Sequence, residues 1–255
     1  MKQYPKTEKY DLKFIEENWM GPNPLKLLEN LCDNMELRPN MKILDMGCGK
    51  GLTSIFLAKE YGVTVFANDL WVDPSENLKR FKEAGVEDKV FPIKAEAHAL
   101  PYAKDFFDAA IAIDSYQYYG ADEIYFPTTF SKLVKPGGQF GIVSPGLMQE
   151  FEKGYPDTHA SLWSEDMFSF HSKEWWKSLW EKTGIVNITS CYNIPDSKEI
   201  WYSWGHWVRE NLNLDDMGLQ DVEVEYPQFD DVDFLDADTD NQITLFAMTA
   251  TKKNI

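Results

Sequence analysis

A cluster of three glycines directly follows a short apolar segment and limits the possible folds more than any other feature of the chain. Residues 41–45 have the pattern of a buried strand, and residues 52–61 have that of an amphipathic helix. Between them, Gly47, Gly49 and Gly51 permit a tight turn and a close approach of the backbone to a ligand. The free N–H groups at a helix start favour anionic groups. The segment therefore predicts a strand–loop–helix unit that binds a cofactor.

Strands and helices alternate around this unit. The apolar patterns predict five strands in the first part of the chain, at 41–45, 63–69, 90–95, 107–114 and 139–144. Predicted helices follow Pro24, cover 52–61, run from Pro74 to Ala84, and lie near 122–134. Residues 1–23 are predicted to be an irregular lead-in. This alternation indicates right-handed βαβ units on a parallel sheet.

The second half of the chain has a different character, because it holds seven of the nine tryptophans. The patterns predict helices at 172–183 and 197–212, strands at 185–191 and 242–251, and an acidic stretch from Asp215 to Asp240. About fifty residues separate these two strands, far more than a hairpin needs. Trp201 and Trp204 share one face of the helix at 197–212. They either line a lid over an acceptor pocket or pack onto the sheet.

These patterns predict an α/β fold. The expected architecture is a Rossmann-like, seven-stranded, mostly parallel sheet with helices on both faces and an aromatic-rich cap in the C-terminal half. We expect three parts: an N-terminal lead-in and helix at 1–40, a cofactor-binding core at 41–145, and the remaining strands with substrate-cap insertions at 146–255.

The spacing of the glycines distinguishes between cofactors. Dinucleotide-binding enzymes favour G-x-G-x-x-G, which holds a pyrophosphate. This chain has D-x-G-x-G-x-G, in which Asp45 stands just before the first glycine. An acid is poorly placed beside a pyrophosphate but suits a cofactor that carries an ammonium group. The G-x-x-x-x-G-K-[ST] order of a P-loop is absent.

On this motif, the chain resembles the class I S-adenosylmethionine-dependent methyltransferases, and most of all their small-molecule branch. The resemblance is strongest over about residues 41–145. It implies that Asp69, at the end of the second strand, binds the ribose hydroxyls. It also implies that Glu96 and Ala97 form hydrogen bonds with the adenine. It further implies that Lys135-Pro136-Gly137-Gly138 is a turn with a structural role and no catalytic one. The implied cofactor is S-adenosylmethionine, and the implied binding residues are Asp45, Gly47, Cys48, Gly49, Gly51, Asp69, Leu70, Glu96, Ala97 and Asp114.

The loop after the fourth predicted strand lies beside the reactive methyl group in the resembled family. It contains Asp114, Tyr116 and Tyr119, which are the candidate catalytic residues. The prolines that some amine and amide methyltransferases carry here are absent. Methyl transfer is an in-line displacement, so these side chains mainly need to orient an acceptor. A general base helps only if the acceptor starts protonated.

The net charge and the composition limit the classes of partner and the compartment that we expect for this protein. A net charge of −17 opposes nucleic-acid binding, which depends on Lys and Arg. Three scattered cysteines and a polar N-terminus favour the cytoplasm, and no apolar run is long enough for a membrane span. The four histidines show no metal-binding spacing, so no metal is expected. The expected partner is a small-molecule acceptor, for which an amine is one candidate, and the protein is expected to be a monomer or a homodimer.

Two other functions stay open on the sequence. The chain could bind S-adenosylmethionine without methyl transfer or for the transfer of another group. It could also be a nicotinamide-dependent oxidoreductase, a reading that the glycine spacing opposes.

Overall fold

The computed structural model describes residues 3–151, 162–211 and 230–254, which contribute to one seven-stranded sheet. Its strands are β1 Lys42–Met46, β2 Thr64–Asp69, β3 Val90–Lys94, β4 Phe107–Ile113, β5 Val134–Leu147, β6 Val186–Asn193 and β7 Ile243–Lys252. They lie in the order β3-β2-β1-β4-β5-β7-β6. Strands β1 to β5 are parallel, and β7 is antiparallel to β5 and β6. The predicted Rossmann-like, mostly parallel sheet is confirmed.

Several helices begin at residues whose side chains cap the first backbone N–H groups. The helices are α1 Leu12–Asn18, α2 Pro24–Cys32, α3 Leu52–Tyr61, α4 Pro74–Glu83, α5 Ser131–Leu133, α6 Lys173–Glu181, α7 Ser197–Asn211 and α8 Asp231–Ala237. The Asn23 side chain accepts hydrogen bonds from two N–H groups at the start of α2, and Asp73 does the same for one in α4. In both helices proline occupies the first position, where its missing N–H is not needed.

The sheet is covered on both faces. Successive residues of β1 point to opposite sides, so that Ile43 belongs to one buried cluster and Leu44 to the other. The first cluster contains side chains of α2, α3 and α7, whereas the second contains Trp176 and Trp180 of α6. The predicted aromatic enrichment of the C-terminal half therefore contributes to the packing on both faces.

Two segments are more ordered than the sequence patterns predict. The lead-in at 1–23 was expected to be irregular but contains α1, whose first N–H groups are capped by the Asp11 carboxylate. In the acidic stretch, for which the sequence patterns predict no helix, the Asp230 side chain caps the short helix α8. The rest of that stretch up to residue 229, and Leu212 of the predicted cap helix, lie outside the described residues.

The region before β5 also differs from the prediction. The regular helix expected at 122–134 is instead a π-helical turn, Phe126–Phe130, followed by the single turn α5. Pro127 lies within this segment and cannot donate a backbone hydrogen bond, which disfavours a regular helix. Strand β5 is longer than predicted at both ends, with a register shift opposite β4 around residues 135–138. The division of the chain at residues 40 and 145 stays a prediction.

Across the parts of the chain that the structure describes, no helix combines the length and the apolar character that crossing a membrane requires.

Candidate active site

A cavity of about 260 Å³ opens at the carboxyl ends of β1, β2, β3 and β4. The chain order reverses between β1 and β4, and ligands of open α/β sheets bind at such a point. Most of the predicted site residues meet here, namely Gly47, Cys48, Gly49, Asp69, Leu70, Glu96, Ala97, Asp114 and Tyr119. Three do not belong to the lining formed by the described residues, namely Asp45, Gly51 and Tyr116.

The loop after β1 needs glycine for two different reasons. Gly47 and Gly49 have φ angles of +72° and +53° and line the cavity. A Cβ atom on Gly47 would collide with Ser115, and one on Gly49 would lie 3.1 Å from Sδ of Met20. Gly51, with a φ of +83°, is the N-cap of α3, and a Cβ atom there would collide with a buried ring of α4. Its role is therefore in packing rather than in the cavity wall.

Cys48 lies between the two cavity glycines, and only 6% of its surface is exposed. Burial raises the pKa of its thiol well above the ordinary value, and the nearby Asp45 and Asp69 carboxylates act in the same direction. Since the thiolate is the reactive form, this side chain packs the loop and is not a nucleophile.

Asp69 connects the ends of β1 and β2. Its Oδ2 accepts a hydrogen bond from the backbone N–H of Gly49 at 2.8 Å. Its Oδ1 accepts hydrogen bonds from the N–H groups of Trp71 and Val72 at 2.8 and 3.0 Å. The carboxylate thereby fixes two loops of the cavity wall. Three of the roughly four acceptor sites of the carboxylate are thereby used, so Oδ2 can accept one further hydrogen bond, as from a ribose hydroxyl.

Asp45 lies beneath the glycine loop rather than in the cavity wall. Its Oδ2 accepts hydrogen bonds from the hydroxyls of Thr53 at 2.6 Å and Ser54 at 2.5 Å. Burial raises its pKa to about 6, although both hydroxyls act in the opposite direction. The side chain points to the first turn of α3 and is not among the described residues of the cavity wall, so the cofactor-binding role of Asp45 stays a prediction.

The loop after β3 supplies a carboxylate and an imidazole. The side chain of Glu96 bonds to its neighbour His98, with Oε1 2.8 Å from Nδ1 and Oε2 2.8 Å from the backbone N–H. The bond from the imidazole, more than any other cause, holds the pKa of Glu96 below its ordinary value. Ala97 lies between them and is buried. All three line the cavity at the place where the sequence predicted adenine recognition.

Asp114 ends β4 on the other side of the glycine loop. Its φ angle is +52°, an uncommon conformation outside glycine that Asp tolerates better than most residues. Its Oδ1 accepts a hydrogen bond from the Gln117 amide at 3.1 Å. Burial raises the pKa of Asp114 to about 7, and the charge of Asp231 on α8 adds to this effect. A Cβ atom on Gly21 would collide with Oδ2, so the N-terminal segment packs closely against this carboxyl group.

The two candidate tyrosines of this loop lie in different places. Tyr119 lines the cavity, and its hydroxyl is 3.1 Å from Oγ of Ser115. Tyr116 is fully buried among aromatic rings that include those of Trp176 and Trp180, at 5.7 and 5.6 Å. The expectation that Tyr116 reaches the site is therefore corrected, since it packs in the core.

The sequence patterns missed one wall of the cavity. Met20, Gly21 and Pro22 line it, although they belong to the predicted lead-in. Lys50 also lines it, and its Nζ donates to the backbone carbonyl of Glu17 at 3.4 Å. The only local signal was the sequence Trp19-Met20-Gly21-Pro22-Asn23-Pro24, in which two prolines and a glycine stop a helix and hold the chain against its neighbours.

The cap consists of α7, α8 and the end of the lead-in. The ring of Trp19 contacts the rings of Trp204 and Trp207 edge-on, at 5.6 and 5.5 Å between centroids. Trp201 donates from Nε1 to Asp231 at 2.7 Å, which ties α7 to α8. Trp201 and Trp204 are buried, and neither is among the described residues that line the cavity. Among the described parts of the chain, no group of three or more His, Cys, Asp or Glu side chains is arranged to hold a metal ion.

Comparisons with known proteins agree with this geometry. The family model described as a methyltransferase domain matches residues 43–138. Over 118 residues the chain is 31% identical to methyltransferase GfsG of Streptomyces halstedii, covering 46% of this chain and 42% of that protein. Over 120 residues it is 30% identical to a sarcosine/dimethylglycine N-methyltransferase of Halorhodospira halochloris, covering 47% and 43%. The chain thus matches less than half the length of these two relatives.

A solved structure extends the likeness to most of the fold. Geranyl diphosphate C-methyltransferase from Streptomyces coelicolor A3(2), in complex with Mg²⁺, geranyl diphosphate and S-adenosyl-L-homocysteine, has a TM-score of 0.67. The match has 13% sequence identity and covers 89% of this chain and 80% of that one. The segment matched by the family model contains the glycine loop, Asp69, Glu96 and Asp114. Residues 43–138 of this chain thus match a methyltransferase domain, on a fold that methyltransferases of known structure share.

Proposed function

We propose that the protein transfers a methyl group from S-adenosylmethionine to a small-molecule acceptor. The observation that carries this proposal is the convergence of three strand ends on one cavity. The glycine loop follows β1, Asp69 ends β2, and Glu96 follows β3, while Asp114 lies across the loop at the end of β4. The first three sites suit the parts of the cofactor, and the fourth suits the acceptor.

The cavity fits the cofactor by its chemistry. Gly47 and Gly49 leave space that a Cβ atom would fill, so backbone groups of the loop can contact the amino-acid part of the cofactor. Asp69 offers its carboxylate to the ribose hydroxyls, and Glu96 with the Ala97 N–H offers an acceptor and a donor to adenine. Leu70 is 47% exposed at the cavity, where it can pack on the adenine ring.

When bound, S-adenosylmethionine supplies a methyl group that its sulfonium already activates. The protein must then orient the acceptor, exclude water and take up a proton that the acceptor loses. Asp114 is suited to these tasks because its carboxyl group lines the cavity and has a pKa of about 7. A carboxylate whose pKa is raised by burial is a stronger base than an ordinary one, so it can accept a proton from the acceptor. Tyr119, beside Ser115, can orient the acceptor from the same loop.

We infer that the acceptor is an amine. The described residues that line the cavity include the carboxyl groups of Asp69, Glu96 and Asp114 and one lysine, Lys50. Because Asp69 and Glu96 are assigned to the cofactor, the carboxyl group that remains for the acceptor is that of Asp114, and its carboxylate favours a cationic acceptor over an anionic one. An ammonium acceptor must lose a proton before its nitrogen can attack a methyl group. The carboxylate of Asp114 can act as the base that accepts this proton. The N-methyltransferase relative supports the same substrate class.

Two measurements test the proposal. Calorimetric titration should show binding of S-adenosylhomocysteine and no binding of NAD. Incubation with methyl-labelled cofactor and a panel of primary to tertiary amines, with alcohols and phenols as the comparison, should then give products heavier by one methyl group. Binding without transfer to any compound of a complete small-molecule extract would contradict the methyltransferase activity. Transfer only to oxygen or carbon would contradict the amine.

We further propose that the protein works in the cytoplasm on molecules that are not nucleic acids. Cys32, Cys48 and Cys191 are free thiols, which suit a reducing compartment. The net charge of −17 opposes the approach of a polyanion. Whether the protein acts as a monomer or as a homodimer stays open in this proposal.

A further inference from the structure

A glutamine beside the candidate base is buried with one end of its amide unpaired. Gln117 lies in the turn Tyr116–Tyr118 after β4, and only 4% of its surface is exposed. Its Nε2 donates a hydrogen bond to Oδ1 of Asp114 at 3.1 Å. Its Oε1 is buried and has no hydrogen-bond partner among the described residues. A buried acceptor without a partner costs stability, so packing alone does not explain a polar side chain at this position.

The carboxyl group of Asp114 depends on this bond for its orientation. The backbone of Asp114 is fixed separately, because its N–H donates to the carbonyl of Val143 on β5 at 2.8 Å. Within the described parts of the chain, only the Gln117 amide donates to the carboxyl group. The bond at Oδ1 leaves Oδ2, which adjoins Gly21 in the cavity wall, for a ligand. Gln117 thereby selects the oxygen that Asp114 offers to an acceptor.

An amide can bond to a carboxyl group in both of its protonation states. Its NH₂ group donates to a carboxylate, and its oxygen accepts from the O–H of a carboxylic acid. Rotation of the amide about its terminal bond exchanges the two groups. Because Oε1 of Gln117 has no other partner, this rotation breaks no described hydrogen bond except the one to Asp114. The unpaired oxygen therefore has a use once Asp114 has taken up a proton.

We propose that Gln117 is the positioning residue of Asp114 and bonds to its carboxyl group both before and after that group takes a proton from the acceptor. This inference rests on the proposed function, in which Asp114 is the base. An ammonium acceptor gives one proton to the Asp114 carboxylate. The lone pair left on its nitrogen forms the new N–C bond as the C–S bond of the cofactor breaks, and the electron pair of that bond stays on sulfur. The Gln117 amide donates to the carboxylate before this step and accepts from the carboxylic acid after it.

Two neighbours influence the ionisation of Asp114 in opposite directions. Burial is the main cause of its pKa of about 7, whereas the bond from Gln117 acts against this rise and the charge of Asp231 adds to it. Asp231 lies on α8, where the Trp201 indole donates to it at 2.7 Å, and burial raises its pKa to about 6. The lead-in contributes the uncharged Gly21. Changes at Gln117 and at Asp231 should therefore shift the titration of Asp114 with opposite signs.

The first test measures kcat against pH, with methyl-labelled S-adenosylmethionine and an amine that the wild type accepts. Gln117→Met keeps the length of the side chain but removes the donor and the acceptor. Loss of a hydrogen bond to the ionised form favours the protonated form of Asp114. The acid limb should therefore move to higher pH by about 1–2 units relative to the wild type. Gln117→Glu, which adds a like charge, should move it in the same direction and serves if the methionine variant does not fold.

A second test needs neither cofactor nor acceptor. In urea unfolding of the unliganded protein, Gln117→Met should lose more stability at pH 8, where Asp114 is mostly ionised, than at pH 5, where it is mostly protonated. In the background of Asp114→Asn, the loss should be the same at both pH values, because the titrating group is gone. The affinity of Gln117→Met for S-adenosylhomocysteine should equal that of the wild type, since Gln117 is not among the described residues of the cavity wall.

Two further variants act as controls. Gln139→Met is the matched one, because the Gln139 amide bonds in both directions to the backbone of Glu36 and lies outside the described cavity wall. It should keep the wild-type limb, and its loss of stability should not depend on pH. Asp231→Asn removes the like charge near Asp114, so its limb should move to lower pH.

The outcomes separate this inference from the proposed function. An acid limb that stays at the wild-type pH in Gln117→Met would overturn the positioning role, even if kcat falls, because a purely structural defect lowers kcat at every pH. A loss of stability that is equal at pH 5 and pH 8 would overturn it as well. If the wild type methylates no amine, or if Asp114→Asn keeps full activity, the proposed function fails instead.

Discussion

The Asp69 carboxylate and the Gly49 backbone N–H are joined by a hydrogen bond of 2.8 Å, which ties the end of β2 to the loop after β1. The same carboxylate accepts hydrogen bonds from two further backbone N–H groups, which belong to the loop after β2. In the expected complex it also binds the ribose hydroxyls. One side chain thus shapes the cavity and contacts the ligand, and substitutions at Asp69 must distinguish the two roles.

We expect Asp69→Asn to weaken S-adenosylhomocysteine binding by at least about tenfold, because a hydrogen bond to a charged group contributes roughly 1.5–3 kcal/mol. Asparagine keeps one oxygen for the loop but loses the charge that faces the ribose. Asp69→Ala should in addition lower the unfolding temperature. Calorimetry and thermal unfolding measure both effects.

Asp73→Asn or Asp73→Ala provides the control, since Asp73 caps α4 and is outside the described cavity wall. The alanine variant should cost about 1 kcal/mol of stability with an unchanged affinity. If Asp69→Asn binds as tightly as the wild type, the ribose assignment is wrong.

We expect Gly49→Val to abolish cofactor binding. The φ angle of +53° is unfavourable for a β-branched residue, and the new side chain would lie against Met20 at the cavity wall. Gly85→Val is the matched control, because Gly85 has a φ angle of +67° with no described atom within 4 Å of an added Cβ atom. Both variants should lose stability from backbone strain, but only Gly49→Val should lose affinity. Equal affinities in the two folded variants would contradict a role of Gly49 in the site.

The part of the site that could be predicted from sequence follows directly after strands. Gly47, Gly49, Asp69 and Glu96 each stand next to an apolar segment that marks a strand, and parallel strands bring their carboxyl ends to one edge of the sheet. Sequence order and sheet topology together are sufficient to place these residues near each other, without any knowledge of side-chain packing.

The rest depends on contacts between distant segments. Gly21 packs against Asp114, 93 positions away, and no periodicity reports such a contact. The turn after β4 contains Tyr116, Tyr118 and Tyr119, and only the folded turn decides that the first points into the core while the other two face the cavity. The sequence patterns do not predict helix α8, which begins where the Asp230 side chain accepts hydrogen bonds from two backbone N–H groups within the acidic stretch.

We expect the contribution of Asp114 to stability to fall as the pH rises from about 4 to 7. The pKa of Asp114 is about 7 in the folded chain, mainly because the group is buried, against about 3.9 in an unfolded chain. The folded state therefore binds more protons in this window, and its free energy of unfolding falls as the pH rises. Asp114→Asn should remove this contribution, so that the variant is more stable than the wild type by about 1–3 kcal/mol at pH 8 and equal to it near pH 4.

Urea unfolding at both pH values measures this difference. Asp108 offers a control of opposite sign: burial works against ionisation there, but hydrogen bonds from Lys135 and the Lys42 N–H bring its pKa below the ordinary value. Asp108→Asn should therefore destabilise the protein at pH 8.

The Asp114→Asn variant also tests catalysis. If Asp114 is the base that takes a proton from the acceptor, Asp114→Asn should lower turnover by about 10²- to 10⁴-fold. A variant that is both less stable at pH 8 and fully active would refute this account of Asp114.

The last prediction concerns whether the aromatic residues of α7 form a lid or a core. Trp204 is 7% exposed and contacts the rings of Trp19 and Trp207, and it is not among the described residues of the cavity wall. We therefore expect Trp204→Ala to cost about 3–5 kcal/mol of stability, as truncation of a large core side chain does. The affinity of the folded molecules for S-adenosylhomocysteine should stay within about threefold of the wild type.

Trp204→Phe keeps the fold measurable if the alanine variant does not fold, and Trp207→Ala, at a partly buried position on the same helix, should cost less. Urea unfolding and methyl transfer per folded molecule are measured on all three variants. If Trp204 packs the cap, stability should fall in the order of burial while the activity of each folded molecule is kept. If it is a lid, Trp204→Phe should change acceptor preference or turnover with little loss of stability, because a ring of different shape would then alter the acceptor pocket. Because Trp19 adjoins the cavity residue Met20, a packing role still connects the cap to the site through the lead-in.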